Sequence, residues 1–287
     1  MSSLLIVGCG DVGLRVLRVL GGRLRVFALT SSPDRCDALR AAGAHPIVGN
    51  LDAPSSLGRL AGLADAVLYL APPPGSGHTD PRLRALLAAL STRTPPRRVV
   101  YASTTGVYGD CRGELVTEAR PTAAATDRAR RRVDAESRLR AWGRATGVRV
   151  SVLRIPGIYA SDRDGGRPQD RVQRGTPVLA AQDDGYTNHI HADDLARACI
   201  AALWRGKPQR VVNVCDDTDL KTGDYYDLVA DLAGLPRPPR VTRAQAGERF
   251  TPAQWSFLNE SRRLSNARMK RELRLRLLRP TIREGLA

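Results

Sequence analysis

Leu4-Leu5-Ile6-Val7-Gly8-Cys9-Gly10-Asp11-Val12-Gly13 decides how this chain folds. The four aliphatic residues make an unbroken apolar run, the pattern of a strand covered on both faces. Val12, Val16, Leu17 and Leu20 then recur at helical spacing. Between strand and helix, Gly8-x-Gly10-x-x-Gly13 supplies a tight turn at Gly8, close backbone approach for a pyrophosphate at Gly10, and close helix-strand packing at Gly13. The phosphates would rest on the helix N-terminus. A dinucleotide or related nucleotide is the ligand this turn predicts, although a glycine turn used only for packing has the same spacing.

Outward from that turn, apolar segments and helical patterns alternate. Arg25 to Leu29 reads as a second strand, Asp34 to Ala42 as a helix, and His45 to Val48 as a third strand ending at Gly49-Asn50-Leu51-Asp52. Ala66 to Leu70 reads as a fourth strand, and Ala71-Pro72-Pro73-Pro74-Gly75 after it must be loop, because proline fixes φ and removes a donor. Pro81 to Leu90 reads as a helix, Arg98 to Ala102 as a fifth strand, Thr126 to Ala145 as a long arginine-rich helix, and Val148 to Leu153 as a sixth strand. This spacing predicts an α/β chain of parallel βαβ units forming a doubly wound parallel sheet of the Rossmann kind. Ligands of such sheets lie beyond the carboxyl ends of the strands, which places Gly8 to Gly13, Thr30, Asn50, Ala71, Ser103 and Pro156 along one edge.

Composition limits what this opening can belong to. A chain of 287 residues, 42% hydrophobic, can bury a nucleotide-binding domain plus a smaller unit. No apolar run approaches the roughly 18 residues of a membrane span, and the N-terminus lacks a secretory signal, so a cytoplasmic protein with no membrane partner is expected. Cys9, Cys36, Cys111, Cys199 and Cys215 are odd in number and form no CxxC, which argues for reduced thiols. The net charge of +16 points towards polyanions, but the cations are arginines spread along the chain, with lysine only at Lys207, Lys221 and Lys270. No nucleic-acid-binding signature accompanies them, so phosphorylated small molecules are the expected partners rather than nucleic acid.

The end of the second strand bears on which dinucleotide is bound, since an acidic residue there would hold the ribose 2′-hydroxyl of NAD. Leu29-Thr30-Ser31-Ser32-Pro33-Asp34-Arg35 has no carboxylate at that place, and its hydroxyls with Arg35 would suit a 2′-phosphate, which favours NADP over NAD. Ser32 as a helix cap, with Pro33 at the first helical position, accounts for the same residues without a ligand.

By the fifth strand the sequence resembles a known family. Val100-Tyr101-Ala102-Ser103-Thr104-Thr105-Gly106-Val107-Tyr108-Gly109 is similar to the active-site segment of the extended short-chain dehydrogenases/reductases, the NAD-dependent epimerase/dehydratase family. Leu153-Arg154-Ile155-Pro156-Gly157-Ile158-Tyr159, Asn188-His189-Ile190-His191-Ala192-Asp193-Asp194-Leu195-Ala196, Val212-Asn213-Val214-Cys215-Asp216-Asp217 and Arg263-Leu264-Ser265-Asn266 resemble later segments in the family's order. The opening glycine spacing is tighter than the family's usual one, which suggests an atypical branch. The resemblance implies that Gly8, Gly10, Asp11, Val12 and Gly13 contact the pyrophosphate and that Asn50 and Leu51 lie by the adenine. It implies further that Ala71 and Pro72 line the ribose, and that Ser103, Thr104, Pro156 and Ile158 sit near the nicotinamide. Thr104 takes the place of the family's catalytic Ser/Thr.

The departure from the family concerns proton transfer. There, a Tyr and a Lys four residues apart share one face of the long helix, the ammonium lowering the phenol's pKa. Here Arg128 and Arg132 take those two places, no Tyr lies between Tyr108 and Tyr159, and no Lys precedes Lys207. Arg132 could still donate to ribose or phosphate, but an arginine, with a pKa above about 12, is a poor acid or base. Any surviving chemistry is left to Thr104, Tyr108 or Tyr159.

The remaining residues read as follows. His189 and His191 near Asp193 and Asp194 suggest no metal site, the two aspartates serving as cap and first-turn residues of a helix to Leu203. Glu114 and Glu118 read as a solvated loop. Arg154, Arg163 and Arg167 surround the segment that faces a phosphorylated substrate in the family, and motivate an anionic one. Residues 1–159 and 187–215 would form the dinucleotide-binding domain. Residues 160–186 and 216–287 would form a small, discontinuous substrate-binding part, with a helix from Thr222 to Ala233 and an apolar patch at Gln254-Trp255-Ser256-Phe257-Leu258. A homodimer stays open. Two functions fit: an NAD(P)-dependent epimerase, reductase or dehydratase acting on a sugar nucleotide or other small carbonyl or hydroxyl compound, and a catalytically silent NAD(P) sensor.

Overall fold

In the computed structural model, which describes residues 1–286 apart from the side chains of Glu248, Pro252, Ala253 and Phe257, the opening apolar run is strand β1 (Ser3–Val7) in the middle of a sheet. β2 (Arg25–Thr30) and β3 (His45–Val48) extend the sheet on one side. β4 (Ala66–Tyr69), β5 (Arg98–Thr104), β6 (Arg149–Ile155) and β7 (Arg210–Asn213) extend it on the other. The order is β7-β6-β5-β4-β1-β2-β3, with every pairing parallel. The chain winds outward from β1 to β3 and then crosses back to β4, so a crevice opens between the carboxyl ends of β1 and β4.

Strand side chains alternate between two faces, and here both faces are covered, which is why the runs are continuously apolar. Leu4, Ile6, Ala28 and Leu68 pack under helix α1 (Asp11–Leu20) with Val16, Leu17 and Leu20. Leu5, Val7, Phe27 and Val67 face the other way, onto α3 (Pro81–Ser91) through Leu83, Leu86 and Leu90. Between β2 and β3, α2 (Cys36–Ala41) follows a short 3-10 turn at Pro33–Arg35, and Ser32 precedes that turn without a side-chain cap bond.

The arginine-rich segment is α4 (Asp127–Thr146), capped by the Thr126 hydroxyl, which accepts from Ala129 N–H, and ended at Gly147 in the left-handed region. It lies on the sheet through small residues: a Cβ at Gly143 would fall 2.6 Å from Val150. On the opposite layer, α5 (Ala192–Arg205) begins at His191, whose Nδ1 accepts from Asp193 N–H at 3.2 Å. The cap is thus the histidine, and the two aspartates, expected as cap and first-turn residues, both lie in the first turn. Asp194 is buried and accepts from Leu278 N–H and Arg279 N–H, pinning the C-terminal segment to α5.

Outside the large sheet the strands are only two or three residues long. Gly157–Tyr159 pairs with His189–His191, Val178–Leu179 with Arg240–Val241, Tyr186–Thr187 with Leu220–Lys221, and Leu115–Val116 with Arg263–Leu264. α6 (Thr222–Ala233) packs Tyr225, Val229 and Ala230 against Tyr159, Val172 and Ile282. Asp216 lies just after β7 and is only 4% exposed, and its Oδ1 accepts from Thr218 N–H at 3.0 Å. Burial pushes its carboxyl up to about 7 against the pull of the Thr218 hydrogen bonds. Among the described residues no helix is long and apolar enough to cross a membrane.

Two stability measurements test this packing. Gly8 has φ +86, and a Cβ there would lie 2.5 Å from Ala71 N. Gly8→Ala therefore combines left-handed strain with overpacking, and urea denaturation is expected to show a loss of about 3 kcal/mol. Asp216 releases its proton near pH 3.8 when unfolded and near 7 when folded, so between those values the folded state binds more protons and stability falls as pH rises. Thermal midpoints at pH 5 and pH 8 should show Asp216→Asn losing less stability across that interval than the wild type.

Candidate active site

The glycine turn divides its work among three residues. Gly8 is pressed against Ala71, and a Cβ at Gly13 would fall 2.9 Å from Cys9 Sγ, so both are required by packing. Gly10 is different: a Cβ there would meet nothing within 4 Å. It is the N-cap of α1 and offers no side chain to the first-turn amides, whose hydrogen-bonding capacity is unspent by a cap. A cradle open at Gly10 fits the diphosphate of a dinucleotide.

From this turn a cleft of about 700 Å³ runs along the carboxyl edge of the sheet. Gly8, Gly10, Asp11, Val12 and Gly13 form one end, Pro72 to Pro74 the loop side, and Ser103, Thr104, Pro156 and Ile158 the far end. Thr30, Arg35, Asn50, Leu51 and Ala71 stand outside its walls. Thr30 is buried in a turn with Ser32, Arg35 donates to Cys9 O at 2.7 Å, Asn50 Oδ1 accepts from Asp52 N–H, and Ala71 backs Gly8.

Helix α4 lines the cleft with Arg128, Arg131 and Arg132. Arg132 donates to Ala102 O at 2.7 Å and to Tyr101 Oη at 3.1 Å, and lies over the Tyr101 ring. Arg131 donates to Gly77 O at 2.5 Å and so ties the helix to the loop after β4. Arg128 is pushed down from its ordinary value by partial removal from water and by the charge of Arg132, while Glu260 pulls the other way.

Behind this wall lies a buried polar chain. Ser103 Oγ donates to Glu136 Oε1 at 2.5 Å, and Arg154 donates to both oxygens of Glu136, at 3.2 and 2.7 Å. Arg154 also covers the Tyr108 ring at 4.6 Å, and Tyr108 Oη donates to Asn213 Oδ1 at 2.7 Å. Tyr108 is therefore part of the core and lines neither cleft, which removes it from the acid/base candidates. Tyr159 leaves with it: burial raises its phenol well above the usual range, its hydroxyl donates to Thr281 O, and its ring meets His189 and His191 edge-on. Arg154, expected to face a substrate, is buried with Glu136, while Arg167 meets only Asp170 among the described residues. Glu118, read as a solvated loop residue, is buried too and accepts from Asn213 N–H.

A second cleft of about 600 Å³ adjoins the first and shares Thr104, Arg128, Pro156, Ile158 and Arg163 with it. Arg171, His189, Tyr226, Glu260 and Arg262 complete its charged and aromatic walls. Gln254, Ser256 and Leu258 of the expected apolar patch line it, whereas the Phe257 side chain lies outside the described residues. Thr104 Oγ1 accepts from Gly106 N–H at 3.3 Å, which leaves the hydroxyl proton to donate. Glu260 is held by Arg262 at 2.5 Å, and burial pushes its carboxyl up. His189 stacks on Tyr225 with ring centres 4.0 Å apart; burial, helped by the charge of Arg171, lowers its pKa to about 3, so it is neutral. Glu260 and Arg171 were not legible as site residues, because each enters the cleft from a segment with no local signature.

A model of the NAD dependent epimerase/dehydratase family matches residues 4–215. Protein YeeZ of Escherichia coli strain K12 is 27% identical over 249 residues, covering 83% of this chain and 86% of that protein. A functionally unknown conserved protein from Silicibacter pomeroyi DSS is 32% identical with a TM-score of 0.83, covering 100% of this chain and 97% of that one. The UDP-glucose 4-epimerase of Thermus thermophilus, solved in complex with NAD, shares the fold with a TM-score of 0.76 at 21% identity, covering 99% and 96%. Matched over most of its length by the family model, the chain belongs to the NAD-dependent epimerase/dehydratase family.

Proposed function

We propose that this protein is an NAD(P)-dependent oxidoreductase or epimerase acting on an anionic hydroxyl or carbonyl compound, with a sugar nucleotide as the substrate class. The observation that carries the reading is the confluence of the two clefts at Thr104: one is shaped for a dinucleotide, and the other is lined by Arg128, Arg163, Arg171 and Arg262 against the single carboxylate of Glu260 among the described residues. That balance favours a substrate bearing phosphate or carboxylate.

The cofactor, when bound, supplies the hydride acceptor and donor. Gly8, Gly10, Asp11, Val12 and Gly13 would hold its diphosphate, Ser103, Pro156 and Ile158 would flank the nicotinamide, and Arg132 would stand by the ribose. Arg35, against the glycine turn, and the lack of a carboxylate at the end of β2 favour NADP over NAD. Thr104 would donate to the substrate oxygen. When a substrate C–H is oxidised, its hydroxyl proton must leave, and Glu260 is the group in the second cleft whose raised pKa suits it to accept and return that proton.

The test is titration calorimetry with NAD+, NADP+ and their reduced forms, followed by nicotinamide absorbance against a panel of UDP-sugars and small carbonyls. Tighter NADP binding and turnover with an anionic substrate are expected. With that substrate, Thr104→Val is expected to lower kcat about 100-fold with a smaller change in KM. Clear cofactor binding without turnover across the panel would favour a sensor instead.

A further inference from the structure

Asp11 stands where a diphosphate would be least welcome to a carboxylate, in the first turn of α1 beside Gly10. Its charge is managed from two sides. Arg15, only 2% exposed, reaches Asp11 Oδ1 at 3.1 Å from one turn along the helix. The same guanidinium also binds Asp193 at 2.5 Å and Asp162 at 2.5 Å, so it is shared among three carboxylates. Burial works against the Arg15 charge, and the hydrogen bonds to Asp162 and Asp193 more than restore it. Arg15 is therefore a fixed cation whose bonding is already committed.

The other oxygen of Asp11 is taken by Arg163 Nη1. Arg163 comes from the far side of the crevice, on the turn after β6 and its short continuation, and it lines both clefts. The turn is built for this reach: Gly165 has φ +65, and a Cβ at Gly166 would fall 2.4 Å from Arg163 Cδ. Unlike Arg15, Arg163 is only partly buried, and Asp11 is its one ion-pair partner among the described residues.

We propose that Arg163 is the diphosphate-positioning residue of the cofactor cleft: it bridges the crevice to Asp11 and passes its guanidinium to the phosphate oxygens when a dinucleotide enters. The exchange replaces one anion by another at the same guanidinium, and Arg15 remains to neutralise Asp11. Because Arg163 also lines the second cleft, the exchange ties the 160–167 turn to the bound cofactor and couples the two sites. The inference rests on the reading that the first cleft binds a nicotinamide dinucleotide.

Calorimetric titration with two probes separates the outcomes: ADP-ribose, which carries the diphosphate, and AMP, which does not. Arg163→Met is expected to raise the Kd of ADP-ribose at least tenfold and that of AMP less than twofold, with Arg163→Lys in between. Asp11→Asn, which releases Arg163 in advance, is expected to bind ADP-ribose at least as tightly as the wild type. Circular dichroism and thermal midpoints confirm that each variant is folded. Equal weakening of both probes in Arg163→Met would make Arg163 a loop-holding residue, and an unchanged ADP-ribose affinity would assign it elsewhere; either overturns the proposal. A folded wild type that binds neither ADP-ribose nor NAD(P) overturns the cofactor reading itself.

Discussion

Gly8 is so close to Ala71 that a single added carbon would overlap the next strand's backbone. That closeness follows from β1 and β4 being direct neighbours whose ends turn away together, Ala71 N–H still bonding Val7 O as the chain leaves the sheet. The chain must pass Gly8 in a conformation few other residues accept. In doing so it aims the first turn of α1 at the crevice and leaves Gly10 facing open space. The cleft is thus a consequence of the sheet's winding order, and the glycines are what let the backbone follow that order without closing it.

The arginines of α4 change what the rest of the site must do. In the two places where the family resemblance implies Tyr and Lys, this chain puts side chains that stay charged at any physiological pH. Arg132 is anchored to Ala102 O, so it fixes the helix against β5 as well as lining the cleft. A wall of fixed positive charge binds and orients anions, but it cannot relay protons. Under the proposed function, proton transfer would fall to Glu260 of the second cleft, which lies in the field of Arg262 and Arg128.

The fold was legible in the sequence because its signals are local. Continuous apolar runs marked the buried strands within one or two residues, and the long helix read from Thr126 starts one residue later because Thr126 is its cap. That Ser103, Thr104 and Pro156 line the cleft was legible through the resemblance. Side-chain direction was not: Tyr108 and Tyr159 sit in matching segments, yet a one-dimensional match cannot say which face of the chain a ring occupies. Glu260 and Arg163 become visible only when distant segments meet. The cap of α5 was misplaced for a simpler reason, since the ring nitrogen of His191 reaches Asp193 N–H from the position just before the two aspartates.

The polar chain from Ser103 to Asn213 gives the tyrosine at position 108 a structural place in the core. Glu136 and Arg154 face each other inside the protein, where an ion pair is tolerated only if its remaining valences are filled. Ser103 fills one carboxylate oxygen, and the Tyr108 ring covers the guanidinium. Asn213 then engages the phenol and links it to Val116 O, while Glu118 takes the Asn213 N–H. These contacts join β5, α4, β6 and β7 at the end of the sheet that borders the cleft. Ser103 is consumed by these contacts, and Thr104, the next residue, lines both clefts and only accepts, from Gly106 N–H, among the described residues. Of two adjacent hydroxyls, the buried ion pair thus engages one and leaves the other where the two clefts meet.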